Sequence, residues 1–249
     1  MSETTEAPPV VAGVVARPPP TGPVPLENVA AADLVRLAQG LYFIFWGLLL
    51  AVVVGAQIVI VLWRHTFAEL FLGAGVLAVL AGTWRLRQAR LDAAWQATMR
   101  WPWRWAVLTT YFCVVFYMWR RVPLQPYLQT NALGFLACGI AYLISLSGAV
   151  GALTRRLGRT DLARESRWFG AVSVTLLLAP AVAALGYVGV MAVRHDENPL
   201  LQFQELLGWI TGPVMLVLLL PLSLTLGMVW AAKDATLRRL MAGDSGRSA

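Results

Sequence analysis

Residues 85–104 read RLRQARLDAAWQATMRWPWR, five arginines (Arg85, Arg87, Arg90, Arg100 and Arg104) against one acid, Asp92, set between two long apolar runs. Basic connections of this length stay on the cytoplasmic side of a bilayer, so the stretch orients every span around it. The composition agrees with a membrane setting. The 249 residues are 58% hydrophobic and 13% charged, with mean hydropathy +0.65, whereas soluble domains carry about a quarter charged residues. The expected fold class is all-α: a polytopic membrane protein with six transmembrane helices in a bundle. The net charge of +7 is spread between apolar spans rather than massed on one domain, which points to topology signals and anionic lipid headgroups and away from nucleic acid. Cys113 and Cys138 fall in different apolar runs, where a thiol acts as a small hydrophobe.

Working outward, the apolar runs are 41–63, 67–84, 105–119, 131–153, 168–193 and 206–232. The first has no charge and easily crosses a hydrocarbon core of about 30 Å; the third is short and needs flanking residues. Placing both termini in the cytoplasm leaves only Arg64, Arg120, Arg121 and Arg194 outside, with the rest of the twenty Lys and Arg inside. Tryptophans mark the same two levels: Trp46, Trp84, Trp101, Trp103, Trp105, Trp168 and Trp230 inside, and Trp63, Trp119 and Trp209 outside. Trp95 is the exception. With Leu91 and Met99 four residues to either side, it either lays one face of residues 85–100 in the headgroup region or belongs to a solvated extension of the second span. Residues 1–25 hold seven of the fourteen prolines and are expected to form a disordered cytoplasmic tail. Residues 26–39 read as a short interfacial helix or an extension of the first span, and 233–249 as a basic cytoplasmic C-terminal tail.

Small residues recur every four positions in three spans: Gly47, Ala51 and Gly55; Ala74, Ala78 and Gly82; Ala137, Ala141, Ser145 and Ala149. Lipid tails are as apolar as the helices, so association depends on close backbone approach, which such lines permit. Pro180, Pro213 and Pro221 remove backbone donors inside the last two spans and are expected to kink them. The arginines at 85, 87, 90, 100 and 104, with Arg155, Arg156 and Arg159, are the expected contacts for lipid headgroups.

Chemistry-bearing motifs are sparse. His65 and Glu69, with His195, Asp196 and Glu197, share the predicted outer surface and form a candidate metal set, although Thr66-Phe67-Ala68-Glu69 also reads as a capping box for the second span. No catalytic or cofactor-binding residue is assigned. The leading expectation is a non-enzymatic accessory or scaffold subunit in a bacterial-type cytoplasmic membrane, in contact with anionic lipid and with a membrane-protein partner or a second copy. The kinked spans favour, as the alternative, a transporter or permease for a neutral or hydrophobic solute. A lipid-modifying enzyme ranks third.

Overall fold

The computed structural model describes residues 29–60, 66–122, 125–157 and 212–245, together with individual positions between 164 and 190. Five helices have continuous bounds: α1 (Ala31–Ile60), α2 (Thr66–Gln88), α3 (Ala93–Arg121), α4 (Pro126–Arg156) and α5 (Gly212–Ser245). The described positions between 164 and 190 are helical as well, and the described residues contain no strand. The protein is all-α.

Consecutive helices pack side by side from α1 to α4, and α5 closes the ring by packing on both α4 and α1. The interior is apolar: Leu37, Leu41, Ile44 and Leu48 of α1 meet Leu86 of α2, Met99 of α3, Leu146 and Leu153 of α4, and Val229 and Ala232 of α5. Outward faces carry Leu70, Phe71, Leu77, Tyr111, Val114 and Leu136, an apolar exterior suited to lipid rather than water.

Three stretches among the described residues are long and apolar enough to cross a membrane: Ala31–Val54, Leu70–Gln88 and Leu133–Arg156. At a rise of about 1.5 Å per residue, the first and third reach about 36 Å and the second about 28 Å. They lie in α1, α2 and α4. These are the helices of an integral membrane protein. The run 105–119, expected to need flanking residues, lies within the 29-residue α3, which is not among the three. Arg104 and Arg120 bound its charge-free run, 105–119, which is shorter than the roughly 20 residues a span needs.

Helix boundaries bear on the expected layout in two further places. Residues 31–39 are the opening turns of α1, continuous with the span that follows. At the other end, α5 passes the expected limit at Ala232 and continues to Ser245. Ala235 and Thr236 are buried there and Leu240 packs against the core, so the first part of the expected C-terminal tail belongs to the bundle. The reason is periodic: Val229, Ala232 and Thr236 fall on one helical face, which extends the core-facing stripe beyond the apolar run.

Glycine pairs set the spacing of α1 and α2. A Cβ on Gly82 would lie 2.6 Å from the Gly40 carbonyl oxygen and 2.8 Å from the Ile44 amide, and one on Gly47 would lie 2.6 Å from the Gly75 carbonyl oxygen. Two antiparallel backbones therefore touch at Gly40–Gly82 and again, seven residues along each helix, at Gly47–Gly75. A seven-residue step returns a helix to nearly the same face after two turns, as in left-handed antiparallel packing. The small-residue lines expected at four-residue spacing follow a different course. Gly47 and Gly82 lie in the seam, but Ala51 and Ala78 are half-buried at its flank and Ala74 is exposed. On α4, Ala137 is exposed, Ala141 and Ser145 are half-buried, and only Ala149 reaches the core. The surroundings of Gly55 lie outside the described residues.

Candidate functional site

The basic stretch is not one helix. Residues 89–92 break it, and Asp92, in an extended conformation, caps α3 by accepting from the Trp95 amide at 2.6 Å. Capping alone explains an aspartate here, since it satisfies one of the unpaired amides of the first turn. The same carboxylate has a second role. Arg156, in the last turn of α4, donates from Nη2 to Asp92 Oδ1 at 3.0 Å. Its Nη1 stands 2.8 Å from Oδ2, off the axis of a hydrogen bond. The Arg156 side chain is only 6% exposed, and its guanidinium lies 5.9 Å from the centre of the Trp95 ring.

Trp95 completes this junction. It is 1% exposed and its Nε1 donates to the Leu86 carbonyl at 3.1 Å, one of the carbonyls that the end of α2 leaves unpaired. Gln96 donates from Nε2 to the carbonyls of Arg87 and Ala89. Trp95 is thus in the core, neither laid in the headgroup region nor on a solvated extension of the second span. The break at 89–92 folds the start of α3 back over the end of α2, and a buried indole with a satisfied N–H stabilises that turn. Contacts from α1 extend the junction: Asp33 Oδ1 accepts from the Arg90 amide at 3.3 Å and from Arg36 Nη1 at 2.8 Å, and Arg85 donates to Gln39 Oε1 at 3.1 Å. The start of α1, the end of α2, the start of α3 and the end of α4 therefore meet at one end of the bundle.

A polar link spans the interior below it. Thr83 of α2 donates to the Val79 carbonyl at 2.8 Å and lies 3.0 Å from the Tyr142 hydroxyl of α4. Thr83 has one hydroxyl hydrogen and has given it to Val79, so Tyr142 is the donor in the cross-bundle bond. Both residues are buried, and in an apolar surrounding each satisfies what would otherwise be an unpaired group.

Around the basic end, cations rest on indoles. The Arg87 guanidinium is 5.6 Å from the Trp103 ring centre, with Trp84 against the same ring at 5.0 Å. Arg104 is 5.2 Å from Trp101, and Lys233 Nζ of α5 is 3.3 Å from Trp230. Such pairs hold a long flexible cation at the level of an indole while leaving N–H donors free.

Among the expected headgroup contacts, Arg85, Arg87, Arg90, Arg100, Arg104 and Arg155 are exposed at this end. Arg156 is a correction: its ion pair with Asp92 withdraws it from the surface. Arg159 lies outside the described residues. So do His65, His195, Asp196, Glu197 and the side chain of Glu69, and the described residues contain no group of three or more His, Cys, Asp or Glu placed to hold a metal. Pro180 falls outside as well. Pro213 lies in the first described turn of α5, and Pro221 is buried within that helix. A further proline, Pro102, lies within α3, which continues through it. Two partners went unread in the sequence. Asp92 is the lone acid of the basic stretch and stands three residues before Trp95, a spacing that signals a helix cap; nothing local points to Arg156, 64 residues away.

No family model, curated protein or solved structure matches this chain.

Proposed function

We propose that the chain is a non-enzymatic accessory or scaffold subunit of a bacterial-type cytoplasmic membrane. In this reading it has six transmembrane helices with both termini in the cytoplasm, and its basic end meets anionic headgroups and cytoplasmic partners. The observation that carries this is the state of the arginines. Arg87, Arg90, Arg100, Arg104 and Arg155 are exposed together at one end of the bundle, and among the described residues none of them forms an ion pair. The acids near them are engaged elsewhere, Asp92 by Arg156 and the α3 cap and Asp33 by Arg36 and the Arg90 amide. A positive surface whose neighbouring acids are already paired, on a junction of four helix ends, is suited to recruiting anionic surfaces.

Copurification tests the role. After mild detergent extraction the wild-type chain should bring down a defined membrane partner or a second copy, and charge reversal at Arg100 and Arg104 should weaken that association. Isolation of the chain alone, with no complex altered by its deletion, would sink the scaffold reading. Orientation has its own measurement. With Cys113 and Cys138 replaced by serine, a cysteine at exposed Gln88 should resist an impermeant thiol reagent in intact cells, and one at exposed Gln125 should react; the reverse pattern refutes a cytoplasmic basic end.

A further inference from the structure

Lys233 is 9% exposed, and among the described residues its ammonium has no hydrogen bond and no ion pair. The neighbouring acid does not serve it, because Asp234 Oδ2 is taken by Arg238 at 2.6 Å. It lies over the Trp230 ring, 3.3 Å from the ring centre. An indole face supplies part of the lost hydration of a cation, but it leaves the N–H donors and the net charge unmatched. With its stem buried and its donors unengaged among the described residues, this ammonium is placed to take an anion.

The surroundings specify what anion. Trp230 packs against Phe45 of α1 at 4.7 Å, and Phe45 continues into Trp46 at 5.7 Å and from there to Tyr42 at 6.1 Å. Trp230, Trp46 and Tyr42 are all exposed, so the α5/α1 seam presents an aromatic wall beside the cation. Phe45 stands six residues along α1 from Gln39, the residue that accepts from Arg85, which is about 9 Å into the bundle from the basic end. That is the depth where a phospholipid changes from headgroup to acyl chain, and where amphipathic indoles and long cations gather.

The geometry points to a discrete anionic phospholipid site at the α5/α1 seam, with Lys233 binding the phosphate and Trp230, Phe45 and Trp46 lining the path of the glycerol and upper acyl chain. It rests on the reading that the basic end faces an anionic leaflet, but it assigns to one lysine a lipid held specifically rather than by general surface charge.

Native mass spectrometry of the full-length protein in detergent, titrated with phosphatidylglycerol or phosphatidylcholine, tests this. The wild type should retain one phosphatidylglycerol about tenfold better than phosphatidylcholine, a difference of the size one charge-assisted contact supplies. Lys233→Gln should abolish the preference and Lys233→Arg should keep it. Should Lys233→Gln fail to fold, Trp230→Leu retains the ammonium, removes the wall, and should weaken retention several-fold. The double variant Arg87→Gln/Arg104→Gln should lower association with phosphatidylglycerol vesicles yet keep the tight adduct. Undiminished retention in Lys233→Gln overturns the site; if the double arginine variant then loses the lipid, the basic-surface reading survives, and if neither variant changes, both fail. Displacement of the lipid by millimolar inorganic phosphate would mark a free-anion site and refute the proposal, as would loss from Lys233→Gln of a copurifying protein with lipid retention intact.

Discussion

Asp92→Ala will destabilise the folded bundle more than any other single truncation at the basic end, by about 3–5 kcal/mol from stranding Arg156 and about 1 kcal/mol more from the lost cap. The first figure is the larger because of what remains. Arg156 keeps a guanidinium with a side chain only 6% exposed, and removing its partner leaves a buried charge without compensation. The two contributions can be separated. Asn caps about as well as Asp, so Asp92→Asn should preserve the start of α3 while losing the ion pair, and should fall between wild type and Asp92→Ala in thermal stability measured in detergent. Combining Asp92→Asn with Arg156→Leu should recover part of the loss, because a buried pair exchanged for neutral and apolar groups is often tolerated. If Asp92→Ala melts within a degree of wild type, the junction does not hold the helix ends together.

Gly82→Ala is expected to lower the melting temperature by several degrees, against the ordinary preference of helices for alanine. In an open helix the exchange would gain about 1 kcal/mol. Here the new methyl would meet the Gly40 carbonyl oxygen at 2.6 Å, Ile44 Cγ1 at 2.6 Å and the Ile44 amide at 2.8 Å. Two of these are backbone atoms of α1 that cannot rotate away, so α1 and α2 must separate. Overpacking of this kind costs about 1–3 kcal/mol, and the loss of close contact along a seam that also includes Gly47 and Gly75 adds to it. At about 2–4 °C for each kcal/mol in a chain of this size, the effect is measurable. The internal control is Gly139→Ala on α4, where a Cβ meets nothing within 4 Å; that variant should melt at or slightly above the wild-type temperature. Equal behaviour of the two variants would show that the glycine seam does not set the α1–α2 distance.

Apolar run length and charge placement, which are local properties, make the all-α membrane class legible in the sequence. The stretches in α1, α2 and α4 that are apolar enough to span overlap the apolar runs 41–63, 67–84 and 131–153, because a bilayer demands about 20 predominantly apolar residues whatever the packing. Helix boundaries near charge were less legible. The run ending at Ala232 gave no sign that Thr236 and Leu240 would be packed, since a helix face recruited by its neighbours can remain buried after mean hydropathy has fallen. Small residues were legible as a class, but their partners were not. Gly40 and Gly75 drew no notice at a four-residue spacing, and only the antiparallel crossing of α1 and α2 selects the seven-residue step that pairs them with Gly82 and Gly47. The strongest case is the basic stretch itself. Its sequence determined that residues 85–104 are cationic, and the bias of Lys and Arg toward one face of a membrane set the expectation that they share a side with Arg155. That Trp95 would be buried, and that Arg156 would leave the charged surface for Asp92, was decided by the tertiary structure: a break of four residues at 89–92 turns α3 back on α2, and only then do side chains 64 positions apart come within hydrogen-bonding distance.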